Sequence, residues 1–270
     1  MALCAATVCY AQGSRWGVQR EKWNAPGTPH RVYGNTYYVG TEWLGSILIT
    51  SDKGHVLIDG ALPESATLIA ANLRALGFRV EDVKLIVNSH AHFDHAGGIA
   101  ALQKLSGARV AVSPWSARTL ESGTTLRDDP QFGTLDPIPQ VTRTQTLRDG
   151  ETLRVGRLAL TAHFTPGHTP GGTSWTWSSC EEQRCKNIVY ADSLSPVSAD
   201  DFRFTASEHY PHAIADFEKS YAVLRALPCD ILLTPHPELA RAISGTNACS
   251  DFANQQHERL RKRIADEESK

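Results

Sequence analysis

Ser89–His90–Ala91–His92–Phe93–Asp94–His95–Ala96–Gly97–Gly98 is the stretch from which the rest of the chain is read. His90, His92, Asp94 and His95 crowd it, directly after Lys84–Leu85–Ile86–Val87, whose β-branched and aliphatic side chains read as a buried strand. Potential metal ligands therefore stand where a strand ends. Extended or looping backbone sends residues i and i+2 to the same side, so His90 and His92 can close on one ion while Asp94 and His95 face another. Imidazole and carboxylate suit a borderline ion such as zinc, and this many donors exceed what one tetrahedral site uses conveniently. A lone histidine on an apolar segment is usually a core or surface residue with its hydrogen bonds satisfied, and the chain has 11 histidines. Crowding at a strand end needs another reason. The other common zinc pattern, an H-E-x-x-H helix, is absent.

Two further histidines share that setting. Thr165–Pro166–Gly167–His168–Thr169–Pro170 follows the strand-like run Leu158–Phe164, and Leu232–Leu233–Thr234–Pro235–His236–Pro237 places His236 after another. The donors then divide into a His90, His92, His168 site and an Asp94, His95, His236 site, each with an open position. Zinc on three protein ligands is a catalytic pattern, because the ion lowers the pKa of bound water to about 7 and supplies hydroxide at neutral pH.

A chain of 270 residues, 41% hydrophobic and 21% charged, is long enough for one large α/β domain or two. Lys+Arg of 27 against Asp+Glu of 29 gives a net charge of −2, and without a basic block nucleic acid is a poor partner. No apolar run approaches the ~20 residues that span a bilayer, so the mature protein is expected to be soluble, with no membrane partner. Residues 1–11 are apolar and end in Cys9–Tyr10–Ala11, with small residues where a signal peptidase inspects. They read as the remnant of a signal peptide whose basic start is missing, or else as no more than an apolar N-terminus. Residues 12–270 are expected to form a single domain. Of the 6 cysteines, Cys180, Cys185, Cys229 and Cys249 lie beyond that segment, an even number that fits disulfides in an oxidising, periplasm-like compartment. Cys180 and Cys185 flank a charged stretch that reads as the stapled tip of an exposed loop, and Cys229 is expected to pair with Cys249.

Along the chain, residues 14–31 read as an irregular arm. Val32 to Val39, Ser46 to Ser51 and His55 to Asp59 read as an antiparallel meander. A helix opens at Pro63, with Leu68, Ala71, Asn72, Ala75 and Leu76 at helical spacing, and stops at Gly77. After the metal motif come a helix to Leu105, the strand Arg109–Val112 and a helix from Pro114 to about Glu121. A long loop with apolar residues at its tip, 123–139, follows. The second half has strands at Glu151–Val155, Leu158–Phe164, Thr173–Trp177 and Ile188–Tyr190, a helix from Pro211 to Leu227, a short strand Ile231–Thr234 and a polar helix over 250–266.

His-x-His-x-Asp-His, Thr–Pro–Gly–His168 and the late His236 together resemble the metallo-β-lactamase fold superfamily. The resemblance implies an α/β fold, a four-layer αββα sandwich with a dinuclear site at one edge of the sheets. Tyr190–Ala191–Asp192–Ser193–Leu194–Ser195–Pro196, Tyr210–Pro211–His212 and the stretch from Arg225 to Pro237 are similar to the third subclass of the true β-lactamases, as are Trp175–Thr176–Trp177 and Gly40–Thr41–Glu42. Carried over, it implies two Zn2+ ions on the two donor sets and attack by metal-held hydroxide on the lactam of penicillins, cephalosporins and carbapenems. Asp94 would also orient the nucleophile, and Ser193 and Ser195 would help to bind the substrate carboxylate. The 128–139 loop, with Phe132, Leu135 and Ile138, would cover the substrate, a small-molecule β-lactam, in a monomeric exported enzyme of antibiotic resistance. No motif carries a role onto Trp16, Trp23 or His30. The competing readings are another hydrolase of the same fold, a thioesterase or lactonase with Asp192 bridging both metals, and a metal-binding protein without catalysis.

Overall fold

The computed structural model describes residues 15–243 and 247–269, so the expected signal segment lies outside the described residues. Helix α1 (Gly17–Trp23) is followed by β1 (His30–Tyr33), β2 (Thr36–Tyr38), β3 (Ile47–Ile49) and β4 (His55–Ile58). These strands pair antiparallel in sequence order. The run from Val32 to Val39 is broken in two by Gly34, whose φ of +51° makes the tight hairpin turn.

A single 3-10 turn, Pro63–Ser65, leads into α2 (Ala66–Ala75), and β5 (Val83–Val87) returns parallel to β4. The buried face of α2 is Ala66, Ile69, Ala70 and Leu73 rather than the stripe through Leu68 and Ala71 expected from spacing. Both stripes have helical period; only packing against the sheet selects between them. The one-turn helix α3 (Phe93–Ala96) is followed by α4 (Ile99–Ser106), β6 (Arg109–Val112), α5 (Pro114–Ser122) and β7 (Thr144–Thr146). Pro114 at the first turn, the Ser113 hydroxyl accepting from Ser116 N–H, and Gly123 at φ +76° bound α5 as capping chemistry requires.

The second half contributes β8 (Thr152–Val155), β9 (Leu158–Phe164), β10 (Thr173–Glu181), β11 (Arg184–Tyr190), α6 (Ala213–Ala226), β12 (Ile231–Leu233), α7 (Pro237–Arg241) and α8 (Ala248–Glu268). The expected loop tip at Cys180 and Cys185 is a β-hairpin in which the two face each other and are disulfide-bonded, and Cys229 is bonded to Cys249.

Seven strands order as β1-β2-β3-β4-β5-β6-β7, and five as β12-β11-β10-β9-β8. Alternation along each strand explains the layers. Ile47, Ile49, Val56, Ile58 and Val87 point into a core shared with Leu160, Ala162, Trp175 and Ile188 of the other sheet. Leu48, Leu57 and Ile86 point the other way, onto Ile69 and Leu73 of α2 and Leu102 of α4. Val189 and Leu232 meet Phe217 and Tyr221 of α6 and Phe252 of α8 on the outer face of the second sheet. At about 1.5–3 kcal/mol per fully buried large apolar side chain, these faces drive the assembly of an αββα sandwich.

Candidate metal centre

The motif begins where β5 runs out. Asn88 to His92 stay outside regular structure, His92 has extended backbone (φ −83°, ψ 156°) as the residue before α3, and Asp94 and His95 sit on that helix. The helix was not legible, because a single turn has no period to read. β9 and β12 of the other sheet deliver His168 and His236 to the same edge.

The structure gathers His90, His92 and His168 into one cluster and Asp94, His95 and His236 into another, with ligand atoms within 4.8 Å of one another in each. Ring centroids lie 4.6 Å apart for His90 and His92, 4.7 Å for His90 and His168, and 4.7 Å for His95 and His236. In the first cluster every imidazole has one nitrogen committed elsewhere. His90 Nδ1 donates to Asp192 Oδ1 at 2.7 Å, His92 Nε2 to Asp129 Oδ2 at 3.0 Å, and His168 Nδ1 to the Ser195 carbonyl at 2.8 Å. The remaining nitrogens converge, and buried His90 Nε2 has no hydrogen-bond partner among the described residues. In the second cluster Asp94 Oδ2 is 3.2 Å from His95 Nε2 and 3.5 Å from His236 Nε2.

Burial holds His90 well below the ordinary histidine range, His168 down at about 3 and His95 at about 4, with neighbouring imidazoles adding to the effect. These rings are therefore neutral at physiological pH, the form that ligates metal. Burial would raise the Asp94 carboxyl, but His95 and His236 outweigh it and hold it well below its usual range. Burial would likewise lower His236, and its bond to Asp94 raises it instead. Neutral imidazoles, an ionised carboxylate and an orphaned inward nitrogen fit a pair of divalent cations.

Behind the site, Asp59 takes a φ of +61° and accepts from Ser89 N–H at 2.7 Å, Ser89 Oγ at 2.7 Å and Tyr190 Oη at 2.8 Å. Burial pushes its carboxyl up to about 7 despite those bonds. Asp192 is wholly buried and raised well above its usual range by that burial. A Cβ on Gly172 would collide with its other oxygen, so the glycine keeps room for the carboxylate.

The clusters floor a cavity of about 310 Å³ walled by Ser193, Ser195, Gln131 and Leu135 and by Trp16 and Trp23 of the N-terminal arm. A larger cleft, about 600 Å³, lies at Ile49, Trp177 and Arg157 and includes no member of either cluster. Ser193 Oγ is buried without a partner, whereas Ser195 serves His168 mainly through its carbonyl. Phe132 is not on the cavity wall: it is 45% exposed and lines a separate cleft with Arg127 and Phe202. The cause is the turn in which Gln131 N–H donates to Asp129 Oδ1, which aims Gln131 inward and Phe132 away. Ile138 is buried in the first helix-facing core and anchors the loop instead of covering the cavity.

The arm departs most from expectation. Trp23 lies 5.6 Å from the His236 ring, and Trp16 and Trp23 tilt against Phe93 at 5.7 and 6.1 Å. The sequence showed only an aperiodic, Trp-rich segment there. Asp129 had no signal either, since its partner is 37 residues away.

Residues 46–179 match the family described as the metallo-beta-lactamase superfamily. The solved structure of the Rm3 metallo-beta-lactamase is 49% identical, with a TM-score of 0.91, and the match covers 93% of this chain and 98% of that one. MEM-A1, a subclass B3 metallo-beta-lactamase isolated from a soil metagenome library, is 47% identical with a TM-score of 0.89, covering 92% and 99%. Among curated proteins, YobT of Bacillus subtilis is 34% identical over 149 residues, which are 53% of this chain and 61% of that protein. A hydroxyacylglutathione hydrolase of Methylobacterium nodulans is 32% identical over 107 residues, 40% of this chain and 32% of that protein. The chain thus spans from a third to three fifths of these two curated relatives and nearly all of the two solved enzymes. With the donor clusters, the αββα sandwich and these near-complete matches in hand, the chain belongs to the metallo-β-lactamase superfamily.

Proposed function

We propose that the protein is a zinc-dependent hydrolase that opens the β-lactam amide of penicillins, cephalosporins and carbapenems. The observation that carries the reading is the pair of three-donor clusters on the floor of one cavity whose wall presents the unpartnered Ser193 hydroxyl. The near-complete likeness to two metallo-beta-lactamases, one of them of subclass B3, supports it. His90, His92 and His168 would hold one Zn2+, and Asp94, His95 and His236 the other. Zinc on such donors supplies Lewis acidity toward the lactam carbonyl and lowers the pKa of water to about 7.

The chain's own groups do the remainder. Asp94, ionised at neutral pH, accepts a hydrogen from the attacking water and holds it on the carbonyl side. Ser193 Oγ–H donates to the substrate carboxylate, where a second carboxylate would repel it. Trp23 and Phe93 supply an apolar wall that limits water. In this reading residues 12–270 form one catalytic domain acting as a monomer. Two disulfides support export to a periplasm-like compartment. Among the described residues no helix is long and apolar enough to cross a membrane.

A thioesterase or lactonase of the same fold is the second reading, supported by the match to a hydroxyacylglutathione hydrolase. It needs Asp192 as a bridging ligand, and Asp192 instead holds His90 Nδ1 outside both clusters. The deciding assay gives purified protein a carbapenem and, separately, S-lactoylglutathione, each with and without chelator. Carbapenem turnover that a chelator abolishes and zinc restores is expected. Protein inert toward every β-lactam with both metals bound would sink the proposal.

A further inference from the structure

We propose that Arg20 is a positioning residue, a clasp that fixes the 128–139 loop to the start of α2 and so sets the cavity wall beside Phe93. Its effect on substrate rests on the hydrolase reading above; its effect on the loop rests on geometry alone.

Helix α1 is only seven residues long, none of them is fully buried, and its apolar anchorage is confined to Trp23 at its end. Polar contacts place the rest. Arg20 meets Glu64 as a fork, Nε to Oε1 at 3.0 Å and Nη2 to Oε2 at 2.6 Å, while Nη1 reaches Asp136 Oδ2 on the loop at 2.7 Å. The arginine and Asp136 side chains are only 12% and 18% exposed. The guanidinium carbon also lies 5.5 Å from the centre of the Phe93 ring. One side chain thus joins scaffold and loop with charge-assisted hydrogen bonds and meets the cavity wall by a cation–π contact.

The rest of the arm is fastened independently. Thr41 Oγ1 donates to the Trp23 carbonyl at 2.6 Å, and Ser65 Oγ to Asn24 Oδ1 at 2.7 Å. Trp16 Nε1 donates to the Thr134 carbonyl at 2.8 Å, a second tie from α1 to the loop. Leu135, between the two tied residues, lines the cavity with Trp16 and Trp23. Loosening the hold on Asp136 would give Leu135 more freedom to swing and widen the cavity, which weakens substrate binding without touching a donor residue.

The test uses the full chain with Arg20→Ala, Arg20→Lys and Asp136→Asn, the last being the mildest for folding. Trypsin sites at exposed Arg127 and Arg143 flank the loop. In Arg20→Ala, cleavage there should rise about tenfold as the opened population grows, and KM for a β-lactam should rise several-fold with kcat nearly unchanged. Arg20→Lys should fall between, because an ammonium cannot reproduce the fork. Asp136→Asn should act in the same direction. Arg79→Ala, which removes an exposed pairing with Glu81, is the control and should change nothing. Cleavage in Arg20→Ala within twofold of wild type overturns the clasp; faster cleavage with unaltered KM overturns its role toward substrate. If wild-type protein turns over no β-lactam, the hydrolase reading fails, and the cleavage rates alone judge the clasp.

Discussion

The two donor clusters share a cavity floor and differ in what stands behind them. His90, His92 and His168 each have their outer nitrogen held, by Asp192, Asp129 and the Ser195 carbonyl. In the other cluster His95 Nδ1 is buried without a partner, and His236 Nδ1 stands 3.9 Å from Glu238, beyond hydrogen-bond reach. His236 leans instead on Trp23 of the arm, with the Trp43 backbone also at the ring. Outer hydrogen bonds fix tautomer and ring orientation before any ion arrives. The first cluster is thus preorganised, while the second is shaped by packing and by the Asp94 carboxylate that its two rings approach.

The comparison breaks most directly at a donor. His168→Ala should lower turnover more than about a hundredfold, beyond the 10–100-fold that loss of an outer partner costs. Elemental analysis should then show one metal fewer than in wild type; unchanged stoichiometry would refute the division into two sites. Next in size, Asp192→Ala and Asp129→Ala should each weaken the first site about 10–100-fold in metal affinity, whereas Glu238→Ala should leave the second almost as it was. Competition with a chromophoric chelator reads all three, and equal losses would erase the contrast.

A third prediction uses protonation of the metal-free protein. Burial depresses His90, His95 and His168 below the ordinary value of 6.5, with His95 at about 4 and His168 at about 3. As pH falls from 6.5, the unfolded chain takes up protons that the folded chain refuses, so stability is lost on acidification. His236 is raised, so its contribution is complete below 6.5 and disappears as pH rises through its folded value. The buried Asp59 and Asp192 carboxyls, both raised, likewise hold protons more tightly in the folded chain and oppose the depressed rings. The rings are therefore best read one by one: in metal-free protein the imidazole NMR shifts should show His95 and His168 still unprotonated at pH 5, and protonation of both there would contradict the burial argument. The smallest effect belongs to Ser193→Ala: KM for penicillins and carbapenems should rise several-fold, about 1 kcal/mol for one hydrogen bond, with both metals kept. A companion Asp192→Asn variant that sheds a zinc would not by itself choose between readings, because Asp192 holds His90; unchanged KM in Ser193→Ala would remove the hydroxyl from substrate binding.

How much of this was legible depends on what a one-dimensional pattern can hold. Buried strands such as Leu85–Val87, and donors placed just after strands, leave local signatures, so both donor sets could be read, while the sandwich followed from the family resemblance that those donors carry. The face of α2 could not, because two stripes share one period and the sheet decides between them. Asp129 and Trp23 act through contacts that loops make only when folded, and Phe132 was misplaced because a hydrophobic loop residue reads alike whichever way a turn aims it. The arm has no repeat at all; its place comes from Arg20, Trp16 and Trp23 meeting partners far along the chain.

Asp59 has a consequence beyond its hydrogen bonds. Its carboxylate accepts from Ser89, which follows β5, and from Tyr190, which ends β11, so it spans the seam between the two sheets. Each donor cluster spans the same seam, with two members carried by the first sheet and one by the second. A strand advances about 3.3 Å per residue, so a slide of the sheets by a fraction of one pleat would pull the third donor out of reach in both clusters at once. Catalytic competence is then a matter of alignment between layers. Substitutions that leave voids around Ile58, Val87 or Trp175, none of them a ligand, should cost turnover at temperatures well below the melting transition, while the chain is still folded.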